Sequence, residues 1–269
     1  MRRTAILGGL LGAGLLAAWR LELDPGELVP AGEGWNLVGR FFRAAFSPTL
    51  TSESDLADDL LPRILEGTRN TIAFAAAAMS LSLVMGSVLG VLASERWWQL
   101  FALPRGLRPV LYGGFRTLIA FLRSVHEILW AILLLAAFGL STAAAVVAIS
   151  IPYGGTLAKV FSEMLDEAED SAADAMRWGG ATSSQSFAFG LIPRALPDMG
   201  AYAFYRFECA LRSAAILGFF GFPTLGKFLY ESFGELYFRE AWTYLYVLFG
   251  LILVVEWWSG ALRQRLTVA

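Results

Sequence analysis

Cysteine occurs once, at Cys209, histidine once, at His126, and lysine only at Lys159 and Lys227. A lone cysteine excludes a disulfide-stapled secreted module. One histidine beside one cysteine leaves a catalytic zinc ion short of ligands. Charge is scarce too: charged residues make up 16% of the 269-residue chain, against about 25% in soluble domains. A net charge of −2 gives no footing for nucleic-acid binding. No Gly-x-x-x-x-Gly-Lys-Ser/Thr is present, so nucleotide hydrolysis does not belong to this chain. His126-Glu127-Ile-Leu-Trp130 starts like a zinc-protease motif, but Trp130 stands where the second histidine is needed. At 57% hydrophobic residues, the chain is also far from the composition of disorder.

What it does have is long apolar runs. A helix crossing the hydrocarbon core takes about 20 mostly apolar residues. Thr71–Ala93 carries no charge, and its Gly86 and Gly90 form a small-xxx-small pair suited to close packing in lipid. Trp242–Leu262 carries only Glu256, with Trp242, Tyr244, Tyr246, Trp257 and Trp258 as interfacial aromatics. Ala5–Trp19 is apolar but short, and follows Arg2 and Arg3. No clean small-x-small cleavage site precedes Leu21, so it reads as a retained helix rather than a signal peptide. Leu111–Gly139, Ser141–Lys159 and Leu196–Phe220 complete six expected spans. The fold class is therefore all-α, a polytopic membrane helical bundle.

Loop charge sets orientation. A cytoplasmic N-terminus puts Arg2, Arg3, Arg96, Arg105, Arg108, Arg177, Arg194, Arg263 and Arg265 inside. Segment 20–69, with nine acidic residues against five arginines, then lies outside. The expected organisation is a first helix at 1–20, an extracytoplasmic segment at 21–69, a core at 70–262 and a cytoplasmic tail at 263–269. Turn signals stand at Pro25-Gly26 and Pro30. Val38–Phe46 reads as a helix lying in the interface, and Leu56–Arg69 as a second amphipathic stretch. Gly218–Glu240, rich in glycine and aromatics, reads as a re-entrant element near the outer mouth or as an ordinary loop.

An inner loop of about 35 residues, 161–196, is far longer than the 2–8 residues that joining two helices takes. Ser162–Met176 reads as an acidic helix broken by Gly179-Gly180. A short second helix follows, capped by Thr182 or Ser183, with Pro193 and Pro197 expected to stop it. Asp174-Ala175-Met176, three residues, Gly180, twelve residues and Pro193 have the spacing of the "EAA" loop. On that loop the chain resembles the permease subunits of ATP-binding-cassette (ABC) importers, and among them the phosphonate-type permeases. Leu191-Ile-Pro-Arg-Ala-Leu-Pro197, Tyr205-Arg-Phe-Glu-Cys-Ala-Leu-Arg212, Ala214-Ala-Ile-Leu-Gly218 and Leu122-Arg-Ser-Val-His-Glu-Ile128 support this over roughly residues 60–265. Departures are Asp174 for Glu, Gly190 for Ile, Ile192 for Leu, and His126 where related permeases commonly have proline.

The resemblance implies the type I ABC importer permease architecture in the bacterial inner membrane. It also implies that Asp174, Ala175, Gly180, Ala181, Thr182 and Gln185 lie in or near the contact with a separate ATPase. The implied partners are two ATPase copies that bind ATP and Mg, an extracytoplasmic substrate-binding protein, and a second copy of this chain. No cofactor and no catalytic residue are expected here.

Arg123, His126, Glu127, Arg206, Glu208 and Arg212 all fall inside expected spans. Such groups usually face the bundle interior. Arg123, Glu127, Arg206, Glu208 and Arg212 are candidates for lining an oxyanion pathway, since guanidinium matches phosphate geometry. The competing expectation is structural ion pairing, above all Glu208 with Arg212 at i and i+4. Arg206 could meet Glu127 on the neighbouring span, and His126 is expected as a neutral, hydrogen-bonded helix residue. The expected function is the permease of an importer for phosphonate or a related phosphorus oxyanion. The alternatives are another small oxyanion or organic solute (phosphite, a sulfonate), or a membrane enzyme acting on a lipid phosphate.

Overall fold

Apolar length decides where the helices lie. A computed structural model describes residues 2–24, 26, 29–30, 32–51, 60–100, 104 and 106–268. Pro25, the start of the Leu56–Arg69 stretch and Arg105 lie outside the described residues. The regular structure of the described residues is all helical, with no strand, which bears out the all-α expectation. The chain divides into two units, Met1–Pro48 and Thr49–Ala269.

The first unit holds α1 (Arg2–Arg20) and α2 (Gly34–Ala45). The apolar stretch of α1, Ile6–Arg20, is shorter than a full span. Helix α2 carries Arg40 and Arg43 on one side and exposed Trp35, Phe42 and, just beyond its end, Phe46 on the other. That pattern fits a helix lying in the membrane interface.

The second unit is the bundle. Among the described residues, three helices are long and apolar enough to cross a membrane: α3 (Leu60–Leu92), α7 (Thr142–Glu167) and α12 (Phe238–Val268). Between α3 and α7 lie α4 (Glu95–Gln99), α5 (Leu107–Ser124) and α6 (Glu127–Phe138). Beyond α7 come α8 (Ser171–Trp178), α9 (Ser183–Ser186), α10 (Ile192–Ile216) and α11 (Leu225–Gly234). Helices α5 and α6 make one broken span, bent by 86°, and Ser183–Phe220 with α11 makes another, bent by 50°. Five of the six expected spans are thus in this unit, two of them broken. Helix α3 starts at Leu60, so the described part of the second amphipathic stretch is its first turns.

Helix α7 is the central one, packed on α3, α5, α6 and α10. Its contact with α3 is the most extensive in the molecule, and small residues on α3 permit it. A Cβ on Gly86 would lie 2.6 Å from Leu157 Cβ, and one on Gly90 2.9 Å from Phe161 Cβ. Hydroxyls join the same seam: Ser82 Oγ donates to Ala78 O at 2.7 Å and reaches Ser150 O at 3.2 Å, while Ser150 Oγ reaches Ala78 O at 3.1 Å. Gly86→Val is expected to overpack this seam and lower stability by about 1–3 kcal/mol. Thermal unfolding in detergent measures it, and an unchanged midpoint would remove Gly86 from the packing account.

The segment after α10 is a pinned corner. Thr71 Oγ1 on α3 accepts from Leu225 N–H at 3.1 Å and donates to Gly67 O at 2.7 Å. Asn70 Nδ2 donates to Pro223 O at 2.8 Å, and Thr224 Oγ1 donates to Ala215 O at 3.0 Å. Buried polar groups that must be satisfied here fasten the 217–225 turn to its neighbours.

Candidate functional site

Two expectations about the loop after α7 are corrected. The acidic run is two helices, because α7 continues to Glu167, the chain turns extended at Ala168, and α8 starts at Ser171. Prolines 193 and 197 do not stop a helix; both lie in α10. Pro193 sits in the first turn, where its missing N–H is an orphan in any helix. Phe187–Leu191 widens into a π turn, with Ile192 N–H reaching back to Phe187 O, as suits a proline that cannot donate one position later.

The cap between α8 and α9 follows from the residues. Gly180 has φ +88°, the left-handed region where a Cβ is penalised. Ala181 N–H bonds Met176 O and Gly180 N–H bonds Arg177 O, both at 3.0 Å, the Schellman pattern that satisfies orphan carbonyls. Thr182 then caps α9 in a capping box: its Oγ1 accepts from Gln185 N–H at 3.3 Å, and Gln185 Oε1 accepts from Thr182 N–H at 2.9 Å. Of the two expected caps, Thr182 is the one used. Asp174, Ala175, Gly180, Ala181, Thr182 and Gln185 therefore share one small helical hairpin. Asp174 is exposed and pairs with Arg177 at 3.4 Å. Sequence reasoning passed over Trp178, which is 91% exposed beside the turn.

The hairpin is seated firmly. Gly190, a departure from the family pattern, is explained by packing: a Cβ there would lie 2.7 Å from Ala173 Cα on α8. Trp97 on α4 meets Phe187 edge-on at 5.3 Å between ring centroids. Asp166 at the end of α7 accepts from Ser94 Oγ at 2.6 Å and Arg96 N–H at 3.3 Å, and Arg116 on α5 lies 3.6 Å from it. Arg96 pairs with Asp170 just before α8. Lys159 and Glu163 pair at 2.7 Å. Movement of the hairpin is thereby tied to α4, α5 and α7.

Inside the bundle the charges pair otherwise than their spacing implies. His126 is not a helix residue. It is the extended N-cap of α6, its Nδ1 accepting from Ile128 N–H at 3.3 Å, at the 86° break. That break separates Arg123 from Glu127, so their i, i+4 spacing means nothing here. Arg123 and Arg212 are exposed and form no ion pair among the described residues. Glu208 does not pair with Arg212. Its carboxylate, 7% exposed, accepts from Arg263 Nη2 on α12 at 3.1 Å. Helix α12 runs on to Val268, so Arg263 is a helix residue that can reach back to α10. Arg206 and Glu127 do not pair directly. The Arg206 guanidinium lies 4.3 Å from the centroid of the Tyr153 ring. Tyr153 OH is 2.8 Å from Ser213 Oγ, which donates to Glu127 Oε1 at 2.8 Å. Placing a charge in a span costs about 2.5–3.5 kcal/mol, and a desolvated cation–π contact returns about 2. Tyr153 carried a faint signal, as the one aromatic in the Pro152–Gly155 stretch of α7. Ser213 and Arg263 carried none.

The described residues thus form a bundle of apolar helices with a helical hairpin between α7 and α10. The chain belongs to the family of binding-protein-dependent transport system inner membrane components, whose family model matches residues 82–268. It is 26% identical to a phosphite transport system permease protein, PtxC, of Stutzerimonas stutzeri, over 80% of this chain and 78% of that protein. It is 29% identical to the phosphate-import permease protein PhnE of Mycolicibacterium smegmatis, over 72% of this chain but 36% of that longer protein. The fold matches the MetNI methionine ABC transporter in an inward-facing form with a TM-score of 0.66, at 19% identity, over 78% of this chain and 99% of that one. The chain is thus a multi-pass inner-membrane transport subunit, not an enzyme. Membership implies work with an ATPase and a substrate-binding protein.

Proposed function

We propose that this permease imports a phosphorus oxyanion, phosphite or a phosphonate. Two copies of the chain form the pathway, each engaged by one ATPase that binds ATP and Mg, and an extracytoplasmic binding protein delivers the substrate. The observation that carries the substrate class is the shared naming of its relatives for phosphite and phosphate transport over most of this chain. Three arginines associated with the broken spans, Arg123, Arg206 and Arg212, have no carboxylate partner among the described residues, which supports an anionic cargo. Glu208 is spent on Arg263, so its role is structural. Both termini and the α8–α9 hairpin lie in the cytoplasm on this reading, with Asp174, Ala175, Gly180, Ala181, Thr182 and Gln185 in or beside the ATPase contact.

Reconstitution of the permease with its ATPase and binding protein in proteoliposomes tests this. ATP-dependent uptake of phosphite and methylphosphonate is expected, with sulfate and methionine at background. Robust uptake of sulfate or a sulfonate with none of the phosphorus compounds would sink the substrate assignment. Native mass measurement is expected to give two permease chains and two ATPases.

A further inference from the structure

We propose that Arg206, laid on the face of Tyr153, is the resident cation of an oxyanion half-site inside the bundle. The Ser213 hydroxyl keeps Glu127 from neutralising it. The proposal rests on the reading of this chain as an anion permease and adds the residues that would meet the cargo within the membrane.

Three helices build the place: Tyr153 from α7, Arg206 and Ser213 from α10, and Glu127 as the first residue of α6. Arg206 is half-buried and mid-helix, makes no hydrogen bond or ion pair with any described residue, and has a buried Nε without a partner. What holds it is the Tyr153 ring, 4.3 Å from the guanidinium carbon. A ring face fixes the plane of the fork without consuming its N–H donors.

The adjoining hydroxyls face the other way. Ser213 has one hydroxyl proton and gives it to Glu127 Oε1 at 2.8 Å. The proton between Tyr153 and Ser213, 2.8 Å apart, must then come from Tyr153. Both donors thus point toward Glu127, whose other oxygen lies 3.4 Å from His126 Nε2. The carboxylate joined to this network is satisfied by neutral donors, so the guanidinium keeps its fork for a mobile anion. Glu208, two residues along α10, is held by Arg263 on α12 and does not compete. A planar fork of N–H donors matches a small tetrahedral oxyanion, whereas a neutral or cationic solute gains nothing from it.

The test uses the assembled transporter in proteoliposomes with labelled phosphite, methylphosphonate and sulfate as probes. Arg206→Met is expected to lower oxyanion uptake about 10- to 100-fold, with assembly retained. Arg206→Lys keeps the charge but not the fork, and is expected to fall between Met and wild type. Ser213→Ala releases Glu127 and is expected to lower uptake about tenfold; adding Glu127→Gln is expected to restore most of it. A merely structural role for Ser213 would not give that rescue. Wild-type uptake by an assembled Arg206→Met transporter overturns the site. If Arg206→Met fails to assemble, wild-type uptake by Arg206→Lys overturns it equally. Ser213→Ala uptake that the second substitution does not raise overturns the shielding. If the wild type carries sulfate and no phosphorus compound, the substrate assignment fails, while loss of sulfate uptake in Arg206→Met still supports the site.

Discussion

Trp178→Ala is expected to separate this permease from its ATPase while leaving the bundle intact. Trp178 presents nearly its whole side chain to solvent at the end of α8, directly before the Gly179-Gly180 turn. Trp178 stands on the hairpin proposed to meet the ATPase, and tryptophan is among the residues that dominate binding energy at interfaces. Truncation at such an anchor costs about 2 kcal/mol or more, a loss of roughly 30-fold in affinity. Titrating the ATPase onto permease in nanodiscs measures that affinity, and ATP-driven uptake reads its consequence. Gly180→Val is expected to act in the same direction through the backbone. At φ +88° a β-branched residue is strained, and the bonds from Gly180 and Ala181 to Arg177 and Met176 carry that strain into the end of α8. Full ATPase affinity in Trp178→Ala would place the contact elsewhere on the loop.

Arg263→Met is expected to be the most destabilising single change among the arginines near the spans. It leaves the Glu208 carboxylate, 7% exposed, without its cation. Breaking one partner of a buried pair costs about 3–5 kcal/mol, because the remaining charge is uncompensated. Glu208→Gln combined with Arg263→Met removes both charges and is expected to recover much of the loss. Arg212→Met, at an exposed residue with no ion pair among the described residues, is expected to stay within about 0.5 kcal/mol. Denaturant or thermal unfolding in one detergent compares the four proteins. Equal midpoints for Arg263→Met and Arg212→Met would mean that the Glu208 pairing contributes nothing.

What could be read without coordinates were features written into consecutive residues. The charge-free run from Thr71 to Ala93 states its solvent directly, and the Gly86/Gly90 spacing does put both glycines on α7. Gly180 and the Thr182/Gln185 pair are local devices whose geometry is complete within a few residues. The turn and cap of the hairpin were therefore legible, whereas the start of α8 and the course of the chain through Pro193 and Pro197 were not.

The pairing of the membrane charges was not. Helical spacing pointed Glu208 at Arg212 and Arg123 at Glu127, yet Glu208 meets Arg263, 55 positions away, and the chain breaks at His126 before the second pair can form. Which side chains meet across helices depends on each helix's rotation, depth and bend, and packing among neighbours sets those. Proline was misread for a related reason. Whether its missing N–H ends a helix depends on how the neighbouring turns are wound; ahead of Pro193 the turn is widened into π form, and the helix runs on through Pro197.

Composition and local pattern thus determined an all-helical membrane protein with a capped hairpin, because apolar run length and cap chemistry act over one or two turns. Only the tertiary structure decided that the hairpin is fastened to α4, α5 and α7, that Glu208 belongs to α12, and that Arg206 rests on an aromatic ring with no carboxylate partner among the described residues. Those facts join residues far apart in the chain, and only the packing of the helices brings them within reach of each other.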